Sequence, residues 1–122
     1  QMFTDLFVYG TLMYPELYRK ITGEEPDYIP AELRHYSVRR LNERSYPGLI
    51  KRIGGRSIGL LVRNVSEQAM ELLHEYEGEE YKVVEVSVTC EGQRVKAKTY
   101  AVKRDFMYLA MTEGWQPDWS KL

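Results

Sequence analysis

A single glutamate, Glu77, has the sequence context of a general acid–base. It ends a predicted helix, where the helix dipole disfavours negative charge, and three further acidic residues lie within three positions of it. Like charges and partial burial both raise the pKa of a carboxyl group. Glu77 follows Leu73 by four positions and Met70 by seven, so it continues the apolar helix face and points toward the core. Glu77 is therefore a candidate acid–base residue, and a water-exposed acidic helix end is the alternative.

The second candidate is the stretch Tyr9-Gly10-Thr11-Leu12, which comes after the apolar run Leu6-Phe7-Val8. A strand that stops at glycine lets the backbone turn sharply and exposes successive N–H groups. Such groups can bind an anion, for example a carboxylate, without an arginine. In the alternative interpretation, Gly10 only makes a turn and Thr11 caps the next element of the chain.

Other side chains give weaker signals. Tyr46, Tyr81 and Tyr100 could line a pocket with hydroxyl groups or could pack structurally. The two histidines lack the ligand spacing of a metal site, and no glycine-rich phosphate loop is present. Cys90 lies in an alternating pattern that predicts a core position. An arginine cluster at positions 39, 40 and 44 could attract an acidic substrate or could be solvated. We therefore expect no metal and no cofactor.

The elements that must position these residues are predicted from hydrophobic periodicity and turn residues. Ser66 is expected to cap the helix that leads to Glu77, and Gly78 is expected to end it. Gly59 suggests a bulge or a close approach of two chain segments. The predicted elements are a strand over Asp5 to Tyr9, a helix over Tyr14 to Ile21, a loop over Gly23 to Pro30, strands over Ala31 to Leu41 and Arg56 to Val65, a helix from Ser66 to about Tyr76, and a hairpin of Val84 to Cys90 with Val95 to Ala101 around Glu91-Gly92.

Composition sets limits on partners and surroundings. The 122 residues are 43% hydrophobic and suit one folded domain over residues 1–122, with Gln1 interpreted as an addition to the natural chain. A formal net charge of −1 gives no general attraction to nucleic acid or to anionic membranes. No apolar run could cross a bilayer, and no leader is recognised. The single cysteine fits a reducing compartment, so we expect a cytoplasmic protein. The oligomeric state is left open.

Many strands, one good helix and a clear hairpin predict an α+β fold. The sheet is expected to be a small mixed, mostly antiparallel β-barrel flanked by helices, since a closed sheet leaves no exposed edges. The tail over residues 106–122 is expected to begin as a short helix and then to become irregular. Its tryptophans, Trp115 and Trp119, suggest that the tail packs back on the body.

Three segments together resemble the gamma-glutamylcyclotransferase-like superfamily, most closely its gamma-glutamylamine cyclotransferase and avirulence-induced-gene-like branch. Leu6 to Leu12 is similar to the amino-terminal signature. Leu73 to Gly78, followed by Tyr81, is similar to the second signature. Tyr46-Pro47-Gly48-Leu49 resembles a segment between them, and order and spacing agree over most of the chain. The chain departs at His74, where the family often has an aspartate.

The resemblance implies a small mixed barrel and a role for each motif. Glu77 would be the acid–base residue, and Tyr9, Gly10, Thr11 and Leu12 would bind the substrate, largely through backbone groups. Tyr46 and Tyr81 are expected to complete the substrate site. The implied activity, a cofactor-independent lyase or acyl-transfer reaction, cyclises the gamma-glutamyl group of a small amide or isopeptide to 5-oxoproline and releases an amine.

Two other functions stay open on the sequence. The same pocket could belong to a binding module that holds a small carboxylated metabolite without converting it, because a fold does not by itself determine a function. A protein-interaction domain that uses Trp115 and Trp119 is a third hypothesis. The identity of the amine leaving group is not predicted.

Overall fold

The computed structural model describes residues 2–122, and Gln1, interpreted as an addition to the natural chain, lies outside the described residues. Six strands, two α-helices and three short 3-10 segments succeed one another along this part of the chain. The strands are β1 (Phe3–Val8), β2 (Tyr28–Leu41), β3 (Pro47–Ser66), β4 (Tyr81–Cys90), β5 (Gln93–Val102) and β6 (Ala110–Gly114). The α-helices are α1 (Pro15–Thr22) and α2 (Glu67–Glu77), and the 3-10 segments are Thr11–Met13, Arg104–Leu109 and Trp119–Lys121.

Five of the strands form a ring. The order β3-β1-β5-β4-β2 closes because β2 also pairs with β3, and β6 adds to the second half of β2. All these pairings are antiparallel except β1 with β5. The α+β prediction of a mixed, mostly antiparallel sheet flanked by helices is thus confirmed. The ring is barrel-like and not strictly a barrel.

Two apolar clusters lie on the two faces of this ring. Along β1, Phe7 belongs to one cluster and its neighbours Leu6 and Val8 to the other, because successive side chains of a strand point to opposite faces. The Phe7 cluster draws on all five ring strands and on no helix, so it fills the interior of the ring. The other cluster includes Tyr18 of α1 and Leu73 of α2, so it joins the helices to the outside of the ring. Cys90 is buried in the interior cluster, as predicted.

Helix α2 carries Glu77 and has the ends that the sequence predicts. The Ser66 hydroxyl accepts a hydrogen bond from the Ala69 N–H at 3.0 Å, and Gly78 comes directly after the last helical residue with φ +83°. Ala69, Met70 and Leu73 are buried, as the helical spacing predicts. Tyr76 lies on the same face by helical spacing, but 46% of its surface is exposed. Tyr76 lies in the last turn of α2, where its side chain reaches past the sheet to the surface.

Strand boundaries differ from the predictions where the alternation of apolar residues weakens. Strand β3 runs unbroken from Pro47 to Ser66, whereas the predicted strand covers Arg56 to Val65. The middle of the strand was missed because Lys51 to Gly55 are polar or glycine apart from Ile53. The predicted close approach at Gly59 is confirmed, since an added Cβ would collide with the Val8 carbonyl. Strand β2 begins at Tyr28, inside the predicted loop.

The tail is more regular than its sequence suggests. It contributes the strand β6, and Leu109 just before it is buried. Trp115 is half-buried and Trp119 is 55% exposed, so the tail contacts the body through Leu109 and β6 more than through its tryptophans. Among the helices of residues 2–122, not one combines the length and the apolar character that crossing a membrane requires.

Candidate functional site

A cavity of about 260 Å³ lies at one end of the ring, where α2 ends. The end of β1, the loop after it, the start of β3, the end of α2 and the strands β4 and β5 all contribute to its wall. The cavity brings together the seven residues predicted for the site, which are Tyr9, Gly10, Thr11, Leu12, Tyr46, Glu77 and Tyr81. Tyr76, Glu80 and Tyr100 also line it.

The loop after β1 folds into a short 3-10 turn. Its first internal hydrogen bond runs from the Met13 N–H to the Gly10 carbonyl at 3.0 Å, so the N–H groups of Thr11 and Leu12 precede the turn. Gly10 packs tightly on Pro47, because a Cβ at this position would lie 2.9 Å from the proline Cγ. The Thr11 hydroxyl lies 3.5 Å from the Tyr76 hydroxyl, which connects the loop to the end of α2. The loop therefore has a defined position relative to Glu77.

The Glu77 carboxyl is the titrating group of the cavity. Burial raises its pKa to about 7, and the negative charge of Glu80 adds to the effect. Within residues 2–122, no hydrogen bond stabilises its charged form. Glu75 and Glu79 are exposed and do not account for the shift. The crowding predicted from the sequence is thus correct for Glu80 alone.

Glu80 is buried and is held by two partners. Its Oε2 accepts a hydrogen bond from the Tyr46 hydroxyl at 2.7 Å and from the Arg44 Nε at 3.0 Å. The bond from Tyr46, followed by the bond from Arg44, lowers the pKa of Glu80, so this residue stays ionised while Glu77 titrates. The sequence predicted Glu80 only as a nearby charge. Arg44 is 36 positions away, and no local pattern indicates that the two side chains meet.

Three of the tyrosines that line the cavity donate their hydroxyl protons to other groups of the protein. Tyr9 donates to the Tyr100 carbonyl at 2.6 Å, Tyr81 donates to the Pro47 carbonyl, and Tyr46 donates to Glu80. A hydroxyl oxygen that has used its proton can only accept from a ligand. Burial, followed by the charge of Glu77, raises the pKa of Tyr9, Tyr81 and Tyr100, so these three rings stay neutral at physiological pH.

The opposite side of Tyr100 meets His74, the position at which this chain departs from the signature. The Tyr100 hydroxyl and His74 Nδ1 are 3.0 Å apart, and the two rings pack edge to face. Among the described residues, no group of three or more histidine, cysteine or acidic side chains could hold a metal ion.

The fold and the cavity define an α+β protein with a barrel-like sheet and one carboxyl with a raised pKa in a cavity of small-molecule size. Comparison with known proteins makes this class more specific. The chain belongs to the family described as "Gamma-glutamyl cyclotransferase, AIG2-like", whose model matches residues 6–119. The resemblance found in the sequence is thereby confirmed.

Individual relatives support this membership. The chain is 33% identical to AIG2-like protein C of Arabidopsis thaliana over 101 residues, which are 81% of this chain and 59% of that protein. The chain thus spans less than two thirds of that relative. A solution structure of an Arabidopsis thaliana protein matches with a TM-score of 0.81 and 25% identity, over 95% of this chain and 71% of the other.

A solved "Gamma-glutamyl cyclotransferase" has the same fold. It matches with a TM-score of 0.74 over 84% of this chain and 68% of that one. At 16% identity the likeness concerns the fold alone. Its reaction therefore has to be argued for this chain from the residues of the cavity.

Proposed function

We propose that this chain is a gamma-glutamyl cyclotransferase that converts a small gamma-glutamyl amide or isopeptide into 5-oxoproline and a free amine. The observation that carries the proposal is Glu77, a partly buried carboxyl with a pKa of about 7 in the same cavity as the amide-bearing loop. A group that titrates near neutral pH can both accept and donate a proton at that pH. Family membership supports the same class of reaction.

The substrate has two charged groups that the cavity can match. Its alpha-carboxylate would accept hydrogen bonds from N–H groups of the loop over residues 9–12. Its alpha-ammonium would face Glu77 and those tyrosine oxygens that can only accept. Both contacts bend the flexible gamma-glutamyl chain toward a ring. Such a near-attack shape lowers the barrier before any bond changes.

In the reaction, the ionised Glu77 takes a proton from the alpha-ammonium of the substrate. The freed nitrogen forms a bond to the gamma-carbonyl carbon, and the loop amides stabilise the oxyanion that develops. Glu77 then gives its proton to the amide nitrogen, and the bond between this nitrogen and the gamma carbon breaks. The attacking nitrogen releases its second excess proton, which the departing amine takes up. The positive charge of the substrate thus leaves with the amine, and no nucleophile from the protein is required.

Glu77→Gln tests this role because glutamine keeps the size of the side chain and cannot shuttle a proton. We expect turnover to fall by roughly 10²–10⁴-fold, while substrate binding is retained. The assay measures 5-oxoproline by mass spectrometry with gamma-glutamyl amino acids, gamma-glutamyl amines and gamma-glutamyl-lysine isopeptide. Glu79→Gln is the matched control, since Glu79 is exposed and should leave turnover unchanged.

Two outcomes would contradict the proposal. Wild-type turnover in Glu77→Gln would remove Glu77 from the chemistry. Calorimetric binding of gamma-glutamyl compounds without any 5-oxoproline would instead identify the chain as a binding module for carboxylated metabolites.

A further inference from the structure

Arg44, Glu80 and Tyr46 form a network at the wall of the cavity. The Glu80 side chain is buried, with 8% of the residue exposed, and its Oε2 receives both hydrogen bonds, at 2.7 Å from Tyr46 and 3.0 Å from Arg44. Tyr46 and Glu80 line the cavity, whereas Arg44 lies behind them in the connection between β2 and β3. The proposed reaction uses only the Tyr46 oxygen of this network, and it gives no part to Glu80 or Arg44.

The chain between Glu77 and Glu80 explains why the two carboxyls face the same space. Gly78 has φ +83° and ψ −176°, so the chain turns sharply as soon as α2 ends. An added Cβ on Gly78 would lie 3.3 Å from Glu80 Oε1. The ionised Glu80 is therefore held against the turn that comes directly after Glu77. Burying a carboxylate is costly, and a buried ion pair is weak evidence of a gain in stability.

We propose that Glu80 is a positioning residue for Glu77, fixed by Tyr46 and Arg44 so that one negative charge always faces the acid–base carboxyl. The inference rests on the proposed function for its catalytic meaning. A fixed negative charge opposes ionisation of Glu77, whereas the Arg44 guanidinium partly neutralises that charge. Glu80 and Arg44 therefore act on Glu77 in opposite directions. The second cause of the raised Glu77 pKa, the charge of Glu80, agrees with this arrangement.

Among the titratable groups around Glu77, we assign the fixed charge to Glu80 and Arg44. Tyr9, Tyr81 and Tyr100 have raised pKa values and stay neutral. His74 meets the far side of Tyr100, and Lys103 contacts Glu80 through its backbone N–H, which donates to the Glu80 carbonyl at 2.7 Å. The full set that faces Glu77 or lies directly behind the cavity wall is Tyr9, Arg44, Tyr46, His74, Tyr76, Glu80, Tyr81, Tyr100 and Lys103.

The test is a ¹³C NMR titration of glutamate carboxyl groups in the ligand-free full chain, with the Glu77 signal assigned by its loss in Glu77→Gln. We expect Glu80→Gln to move the Glu77 midpoint to lower pH and Arg44→Gln to move it to higher pH, each by about one pH unit. Glu79→Gln is the matched control, because Glu79 is an exposed acidic neighbour, and should leave the midpoint in place. Arg44→Lys keeps the charge and should stay close to wild type.

Activity gives the second readout. The pH dependence of kcat/KM should shift in the same direction as the NMR midpoint in each variant, with little change in KM. A merely structural role predicts losses of the same sign in Glu80→Gln and Arg44→Gln, without opposite shifts. If Glu80→Gln does not fold, as judged by its amide spectrum, the comparison of Arg44→Gln with Arg44→Lys decides the question.

The two proposals fail separately. Turnover that depends on Glu77, together with a Glu77 midpoint that neither variant moves, would overturn the role of Glu80 and leave the cyclotransferase proposal standing. Opposite midpoint shifts without any turnover would support the network and count against the proposed reaction.

Discussion

Glu77 lies on the inward face of α2 and lines the cavity, and burial at this position raises the pKa of its carboxyl. Its position four residues after Leu73 on α2 turns the side chain toward the sheet, and the cavity at the end of the ring receives it. Glu80 is equally acidic, yet its partners Tyr46 and Arg44 lower its pKa. Two carboxyls three positions apart thus differ in protonation at neutral pH because their surroundings differ.

The raised pKa of Glu77 predicts a pH-dependent cost in stability. The folded carboxyl has a pKa of about 7 against an ordinary value of 4.5, so between these values the folded state keeps a proton that the unfolded state has lost. Stability therefore falls as the pH rises through this window and levels off above it. Because glutamine does not titrate, Glu77→Gln should gain stability relative to wild type as the pH rises, by roughly 3 kcal/mol at most.

Urea unfolding at pH 5 and pH 8 measures this difference. Glu79→Gln serves as the control, and its difference from wild type should be the same at both pH values. An equal effect of Glu77→Gln at pH 5 and pH 8 would mean that Glu77 titrates like an exposed carboxyl.

At this scale the sequence predicts what depends on local spacing. The phase of α2 makes Glu77 a candidate, and a glycine after an apolar run makes the loop over residues 9–12 a candidate. The resemblance to the family signatures was needed to prefer these interpretations over their structural alternatives. The bond between Arg44 and Glu80 could not be predicted, because it depends on how the connection from β2 to β3 lies against the end of α2. Helical spacing places Tyr76 on the apolar face of α2, but its exposure could not be predicted, because spacing does not show where the sheet ends.

At the scale of elements, the ends of the two α-helices differ in conformation and in what surrounds them. Both end at a glycine with positive φ, at +72° for Gly23 after α1 and +83° for Gly78 after α2. Gly23 has the ordinary left-handed cap and open space around it. Gly78 has ψ −176°, a conformation that only glycine readily adopts, and it lies between Glu77 and Glu80. The end of α2 is thus part of the site, and the end of α1 is not.

This difference predicts distinct effects of two alanine substitutions. Gly78→Ala should lower the free energy of unfolding by roughly 1–3 kcal/mol and turnover by about tenfold or more, since it shifts Glu77 relative to the loop. Gly23→Ala should cost roughly 1–2 kcal/mol and leave turnover within about twofold. Urea unfolding and the 5-oxoproline assay measure both. Full turnover in a folded Gly78→Ala would show that the turn does not position Glu77.

Element boundaries were predictable where alternation is strong. Strands β4 and β5 alternate without interruption around the Glu91-Gly92 turn, and the predicted hairpin is confirmed. Strand β6 was missed because Ala110 to Gly114 show no alternation, since the strand adds to the outside of β2 with both faces largely exposed. The middle of β3 was missed for a related reason: its residues near Gly54 extend beyond the core.

At the scale of the whole molecule, the ring creates the cavity by bringing together distant parts of the chain. Residues 7–12, 46–47, 76–78, 80–81 and 100 meet there. The parallel neighbour of β1 is β5, which lies about ninety positions later, and only the ring pairing brings Tyr9 to the carbonyl of Tyr100. Strand order has no local signature, so periodicity predicted strands and a closed sheet but not which strands are neighbours. Strand β6 supplies no residue to the cavity.

Two truncations test whether the tail contributes to stability and to the cavity. Removing residues 115–122 takes away the exposed Trp119 and the bond from the Asp118 N–H to the Tyr14 hydroxyl, so we expect a loss below about 1 kcal/mol. Removing residues 110–122 also takes away β6 and the bond from Arg39 to the Met111 carbonyl, which exposes the edge of β2. This variant should lose about 1–3 kcal/mol and self-associate at high concentration, with turnover per folded molecule retained. Urea unfolding, light scattering and the 5-oxoproline assay measure these effects. If the shorter chain kept the oligomeric state and the stability of the full chain, β6 would be dispensable. A loss of turnover in folded chains would make the tail part of the site.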